Sequence, residues 1–248
     1  MSTSKNWFDQ GGQDYARFRP EYPAELASFL ASTVQKHHQA LDVGCGNGQL
    51  TQLLAAHFDT VVGIDPSADQ IANSPAHERI RYQCAPAEKL PLADNSVNLI
   101  TAAQAAHWFH LPSFYQEVRR IAKPNSVLAL ISYGVLNLEP ELDQRFQHFY
   151  WNEIGPYWPA ERKLVDDGYA TLDFPFEEIA APALEIRVQW NLAEFLGYLF
   201  TWSAVRHAKE AGSEDLILQF ATDIAIAWGD ENRQRSIVWP INMRIGKL

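Results

Sequence analysis

The chain has 248 residues, enough for one large α/β domain or for a domain carrying an inserted cap. Apolar residues make up 47% and charged residues 20%, an ordinary balance for a soluble globular protein, and no apolar run approaches the ~18 residues that would span a membrane. Thirty acidic residues against twenty basic ones give a net charge of −10 with no run of Lys or Arg, so phosphate backbones are repelled and nucleic acid is not an expected partner.

The start, MSTSKNWFDQGG, is polar and lacks the apolar centre of an export signal. Cys45 and Cys84 are the only cysteines, too few for a disulfide framework, so the expected compartment is a reducing cytoplasm. Gln39–Val43 reads as a short strand. Leu50, Leu53, Leu54 and Phe58 then recur at helical spacing in Gln49–Phe58. TVVGID forms a second strand ending in Asp65, and Ser67–Ser74 a short helix. IRYQCAPAE and VNLITAAQA give strands three and four. A helix through SFYQEVRRIA stops at Lys123-Pro124, before a fifth strand, VLALISYG. Strands and helices alternating at this spacing predict a doubly wound, Rossmann-like α/β fold with a parallel sheet covered on both faces.

After Gly134 the pattern changes. Six of the eight tryptophans lie between Trp151 and Trp239, and helical segments alternate with the Pro-rich breaks GPYWPA and DFPF. ALEIRVQW and SIVWPINMRI alternate as strands, while Leu192–Lys209 and Glu214–Trp228 read as helices. The expectation is a single domain over residues 1–248, with cap insertions at about 135–183 and 191–212 above the strand ends.

Strand one runs into LDVGCGNG. Glycine permits positive φ and removes the Cβ that keeps a ligand away, so the turn is expected to offer free backbone N–H groups at the carboxyl end of the sheet, where ligands of open α/β sheets bind. Gly44, Gly46 and Gly48 make G-x-G-x-G rather than the G-x-G-x-x-G of dinucleotide sites, which disfavours a nicotinamide cofactor. Asp42 at the strand end suits a ligand with a positive group. Asp65 ends strand two, 23 residues on, where a carboxylate accepts hydrogen bonds from ribose hydroxyls.

These features resemble the class I S-adenosylmethionine-dependent methyltransferases. The residues that carry the resemblance are LDVGCGNGQLTQLLA, VVGIDPS, CAPAEKLPLADNSVNLITAAQAAHWF and RRIAKPNSVLAL, from Leu41 to about Tyr133. The resemblance implies a seven-stranded, mostly parallel sheet whose last strand runs antiparallel. It implies S-adenosylmethionine as cofactor, with Gly44 and Gly46 along its methionine part, Asp65 on the ribose, Ala87 and Glu88 flanking the adenine, and Gln104 beside the methionine moiety. YARFRPEYP, AAHWF, PFEEI and FTWSAVRHAKE are similar to a narrower branch related to trans-aconitate methyltransferases, which act on small molecules.

Other residues are weighed by chemistry. His107, just after strand four, is a candidate base or orienting group, and Trp108 beside it faces either the sulfonium or the cap. His110 completes H-x-x-H, but no further ligands stand at zinc spacing, so no metal is expected. Arg19, with Tyr15, sits in a rigid Pro-flanked segment and is a candidate partner for the cofactor carboxylate. Tyr157, Trp158 and Trp202 are candidate acceptor contacts, with core packing the plainer alternative. Arg206 and His207 read as helix surface, and Cys45 as a small packing residue. The expected activity is methyl transfer from S-adenosylmethionine to a small-molecule acceptor, with a carboxylate oxygen favoured by the branch resemblance. The alternatives are C- or S-methylation of another metabolite, or cofactor binding without catalysis. A monomer or homodimer without a membrane partner is expected.

Overall fold

A computed structural model describes residues 20–248. After helix α1 (Ala24–Ser32), five strands rise in parallel: β1 (Gln39–Val43), β2 (Thr60–Asp65), β3 (Ile80–Cys84), β4 (Val97–Ala103) and β5 (Ala122–Tyr133). Helices α2 (Gln49–Ala55), α3 (Ala68–Ala72) and α4 (Leu111–Ile121) follow β1, β2 and β4. Beyond β5 lie α5 (Pro140–His148), a π-helical turn at Phe149–Glu153, α6 (Arg162–Asp166), β6 (Glu177–Glu178), β7 (Leu184–Trp190), α7 (Leu192–Phe200), α8 (Ser203–Glu210), α9 (Glu214–Trp228) and β8 (Arg235–Lys247).

The strand order is β3-β2-β1-β4-β5-β8, with β7 and β6 pairing along the far side of β8. Strand β8 runs antiparallel to β5, β6 and β7, so among the described residues it is the one strand that opposes all the others. Its thirteen residues serve several neighbours in turn. Arg235–Ile241 pairs with β7, Ile241–Lys247 with β5, and Gly246–Lys247 with β6. The seven expected strands are present, and β6 adds a two-residue eighth that is too short to leave a periodic signal.

Alternation along the strands sorts the core onto two faces. Ala40, Val127, Ala129 and Ile131 face a large cluster with α1, α2 and the helices after β5. Leu41, Val43, Leu128 and Leu130 face a second cluster with Phe114, Val118 and Ile121 of α4. Helices α5, α7, α8 and α9 enter the first cluster through Phe146, Phe195, Ala204 and Phe220. The helices after β5 are therefore continuous with the core of the sheet.

Three boundaries differ from the sequence reading. Strand β3 ends at Cys84, and Ala85–Glu88 turns away towards α4. Helix α4 ends at Ile121 and passes directly into β5, because Lys123-Pro124 continues as extended chain; a bulge there takes up the extra residues, with Asn125 at φ 62°. The expected helix from Leu192 to Lys209 breaks at Thr201–Trp202, where Thr201 Oγ1 donates to the Tyr198 carbonyl and competes with the helix ladder. No helix among the described residues is long and apolar enough to cross a membrane.

Candidate active site

The glycine turn lies where β1, β2 and β4 end together. Gly44, Gly46 and Gly48 all have positive φ, at 69°, 55° and 90°. Their reasons for being glycine differ. A Cβ on Gly44 would lie 2.4 Å from the Ala105 Cβ, so that glycine admits the chain leaving β4. A Cβ on Gly48 would lie 2.2 Å from the Tyr82 hydroxyl, so that one admits the β3 ring. A Cβ on Gly46 would approach only Gln70 Oε1, at 3.8 Å, and Gly46 is where the missing side chain leaves room.

The expected free N–H groups are not free. The Gly44 and Cys45 amides donate to the Ile64 carbonyl at 2.7 and 3.0 Å, Gly46 donates to Asp65 Oδ2 at 2.9 Å, and Gly48 donates to the Cys45 carbonyl. The turn is stapled to the end of β2, because buried amides must find acceptors and those groups are the nearest. What it offers a ligand is space at Gly46, bounded by the Asp65 carboxylate. Asp65 accepts from Gly46 and Ser67, one amide per oxygen, which leaves a lone pair on each oxygen for a diol. Burial holds its pKa above the usual carboxylate range.

Asp42 sits beneath the turn, 1% exposed, and accepts from Thr51 Oγ1 at 2.7 Å and Thr101 Oγ1 at 2.9 Å. Desolvation raises its pKa to about 6, against the pull of the two hydroxyls. Both oxygens are taken by side chains, so its charge acts through the field rather than by contact. Burial also pushes the Cys45 thiol well up, leaving no thiolate at neutral pH and matching a packing role.

Gln104 ends β4 in left-handed backbone, φ 52°, its side-chain amide donating to the Tyr133 carbonyl at 3.3 Å. Its Oε1 is buried and, among the described residues, has no hydrogen-bond donor. Ala87 is buried against the second core cluster. Glu88 Oε1 accepts from the His110 amide at 2.8 Å, so its carboxylate anchors the start of α4. His110 itself pairs with Ser113 at 2.9 Å. Tyr15 and Arg19 lie outside the described residues.

His107 stands in a 3-10 turn, Ala106–Trp108, and its Nδ1 lies 2.9 Å from the Tyr169 hydroxyl. Burial, reinforced by the positive charge of Arg162, drives its pKa down to about 3. The imidazole is therefore uncharged and a feeble base. Trp108 is 40% exposed and packs at 4.9 Å on the His107 ring.

The cap residues separate. Trp202 is buried in an aromatic box with Phe146, Tyr150, Trp158 and Tyr198. Tyr157 donates its hydroxyl to Ser213 Oγ at 2.8 Å, tying the cap to the loop before α9. Trp158 is only partly buried, yet its Nε1 is enclosed and has no acceptor among the described residues. Sequence reasoning missed two residues at this place. Arg162 sits among these rings, 4.7 Å from the centre of Trp158, and Tyr169 holds His107 from a left-handed φ of 62°. The pair Gly168-Tyr169 signals a turn, but nothing in the sequence indicates which side chain the ring meets.

Residues 41–130 match the family model described as a methyltransferase domain. A protein of Dictyostelium discoideum named as a methyltransferase is 33% identical over 247 residues, covering 97% of this chain and 94% of its own length. A Saccharomyces cerevisiae protein named for S-adenosylmethionine-dependent methyl transfer is 32% identical over 136 residues, 51% of this chain and 45% of that one. A solved structure described as a type II methyltransferase, from Anaeromyxobacter dehalogenans, superimposes with a TM-score of 0.87 at 42% identity, over 93% of this chain and 98% of its own. With the sheet order and the glycine turn, these define a methyltransferase. The chain belongs to the class I family, whose members generally draw the methyl group from S-adenosylmethionine.

Proposed function

We propose that the protein binds S-adenosylmethionine and methylates a carboxylate oxygen of a small acid. The cofactor fits the residues present. Gly46 leaves space where a Cβ would intrude, Asp65 keeps a lone pair on each oxygen for the ribose diol, and Gln104 Oε1 is an enclosed acceptor in need of a donor such as an ammonium group. Buried Asp42 adds negative potential under the same turn, which favours a sulfonium ligand and disfavours a pyrophosphate.

When bound, the cofactor supplies a methyl group already activated on a positively charged sulfur. The chain's task is then to align the acceptor and keep water out. A hydroxyl or carbon acceptor needs a base, whereas a carboxylate arrives deprotonated at neutral pH. The observation that carries the carboxylate reading is an uncharged, Tyr169-held His107 within the field of the partly buried cation Arg162. Asp166 pairs with the Nε side of that cation, its Nη donors remain for an anion, and the place holds no working base for anything else. Likeness of the end segments to trans-aconitate methyltransferases supports the same choice.

The test uses labelled S-adenosylmethionine with a panel of small acids, phenols and thiols, alongside calorimetry with the cofactor, its demethylated product and NAD. Base-labile methyl esters of acids are expected. Turnover confined to phenols or thiols overturns the carboxylate reading, and calorimetric preference for NAD overturns the cofactor.

A further inference from the structure

Between β3 and β4 the chain over 85–96 forms neither helix nor strand. It leaves β3 beside Asp65, whose carbonyl accepts from the Ala85 amide at 3.2 Å. Ala87 and Glu88 therefore stand at the same sheet edge as the carboxylate assigned to the ribose. The side chains of Ala87 and Leu90 are buried in the second core cluster, and the Lys89 amide closes a turn on the Pro86 carbonyl at 3.2 Å. A segment without ladder bonds must find other partners for its backbone.

Helix α4 supplies them. Where it starts, the His110 amide donates to Glu88 Oε1 at 2.8 Å. Towards its other end, Glu117 Oε2 accepts from the Leu90 amide at 2.7 Å. Arg120 lies one turn beyond Glu117 and grips the same carboxylate at two points, Nε to Oε1 at 2.8 Å and Nη2 to Oε2 at 2.7 Å. Nη2 also donates to the Leu90 carbonyl at 2.8 Å, while Nη1 donates to the Leu92 carbonyl at 2.7 Å and to Asp94 Oδ1 at 2.8 Å. A guanidinium has five N–H groups, and each of them has an acceptor here. Exposure ranks these bonds. Asp94 is 69% exposed, so its ion pair is screened by water and holds little. Glu117 is 18% exposed and Leu90 is buried, so the two-point pair and the two carbonyls do most of the holding.

We propose that Arg120 is a positioning residue for the adenine end of the cofactor: through Glu117 and the Leu90 and Leu92 carbonyls it sets the 87–90 segment against which the base lies. This rests on the S-adenosylmethionine reading and deepens it. Arg120 acts through backbone and not by touching the base. None of its bonds goes to Gly46, Gln104 or His107, so the methionine end and the acceptor end are left as they are. The planar fork matters as much as the charge. An ammonium has three donors on one atom and does not match two carbonyls and a carboxylate spread along the segment.

The test is calorimetry on wild type and Arg120→Gln with S-adenosylmethionine, S-adenosylhomocysteine and methylthioadenosine, which share adenosine, and with methylthioinosine, which differs from the last at the base alone. Arg120→Gln is expected to weaken the three adenosine ligands alike, by about 10-fold, the scale of one lost hydrogen bond to a charged group. The wild-type preference for methylthioadenosine over methylthioinosine is expected to shrink in the variant, which a general loss of stability does not produce. If Arg120→Gln does not fold, Arg120→Lys keeps the charge, loses the fork, and is expected to show the same pattern in smaller measure. Wild-type affinities and wild-type base preference in the folded variant overturn the assignment and leave S-adenosylmethionine as the cofactor. A wild-type protein that binds none of the adenosine ligands sinks the cofactor reading, and the role of Arg120 with it.

Discussion

The Tyr169 hydroxyl meets His107 Nδ1 at 2.9 Å, and that contact fixes the ring at the end of β4. With a pKa near 3 the imidazole stays uncharged across the working range of the enzyme. A general base typically contributes about 10²–10⁴-fold, so His107→Ala distinguishes a base from an orienting group. The expected loss in kcat is about 10-fold or less, well under that range. The pH profile of kcat/KM between 5 and 9 is expected to show no step belonging to His107. A step near 6.5 that vanishes in His107→Ala contradicts this.

Gly44 and Gly46 are expected to fail differently when changed to alanine. Both carry the left-handed backbone cost, about 1–2 kcal/mol. Only Gly44→Ala adds a collision, its Cβ 2.4 Å from that of Ala105, so it loses several times more stability, to be read by chemical denaturation. Gly46→Ala meets nothing closer than 3.8 Å, so it folds, and its expected defect is in calorimetric binding of S-adenosylmethionine. If Gly46→Ala binds the cofactor as wild type does, the open space at Gly46 is not its seat.

The two glycines also show how much of the site could be read from the sequence. The alternation of apolar segments gave β1, β2, β4 and the α2 start, because each is a local pattern set by burial on one or both faces. The turn was legible as glycine-rich. Whether an absent Cβ makes room for a ligand or for a neighbouring chain is decided by Ala105 and Tyr82, which are remote in sequence. Arg162 was invisible for the same reason. In PAERKLVDD it looks like one of several charges on a surface turn, and only Tyr150, Trp158 and Asp166 gathering around it make it a partly buried cation. Asp42 was legible as an acid near a positive ligand, but not as one sealed under two threonines.

Tyr82 offers a check on the packing side of the turn. Its hydroxyl is enclosed with no hydrogen-bond partner among the described residues, and burial raises its pKa to about 12. Deleting an unsatisfied buried hydroxyl removes a desolvation cost, so Tyr82→Phe is expected to gain about 1 kcal/mol in denaturant unfolding. Cofactor affinity is expected to stay the same. A drop in that affinity would show that the hydroxyl belongs to the binding surface after all.

Asp42 makes the stability of the fold depend on pH in an unusual direction. Its folded pKa, about 6, lies above the ordinary value of 3.8, so the folded state holds the proton more tightly than the unfolded chain. Its contribution is therefore fully present below pH 3.8 and lost as pH rises through about 6. Two units correspond to roughly 3 kcal/mol between those limits. His107 acts oppositely, since its folded pKa is depressed from 6.5 to about 3 and its contribution fades as pH falls through that window. The wild-type curve therefore blends the two, and the variants separate them. Asp42→Asn keeps the shape under Thr51 and Thr101 but cannot ionise, so it is expected to be more stable than wild type at pH 7.5, with the advantage shrinking by pH 4.5. Urea unfolding of both proteins at the two pH values measures it. A difference that is the same at both values would mean that Asp42 ionises in the fold as readily as it does in the unfolded chain.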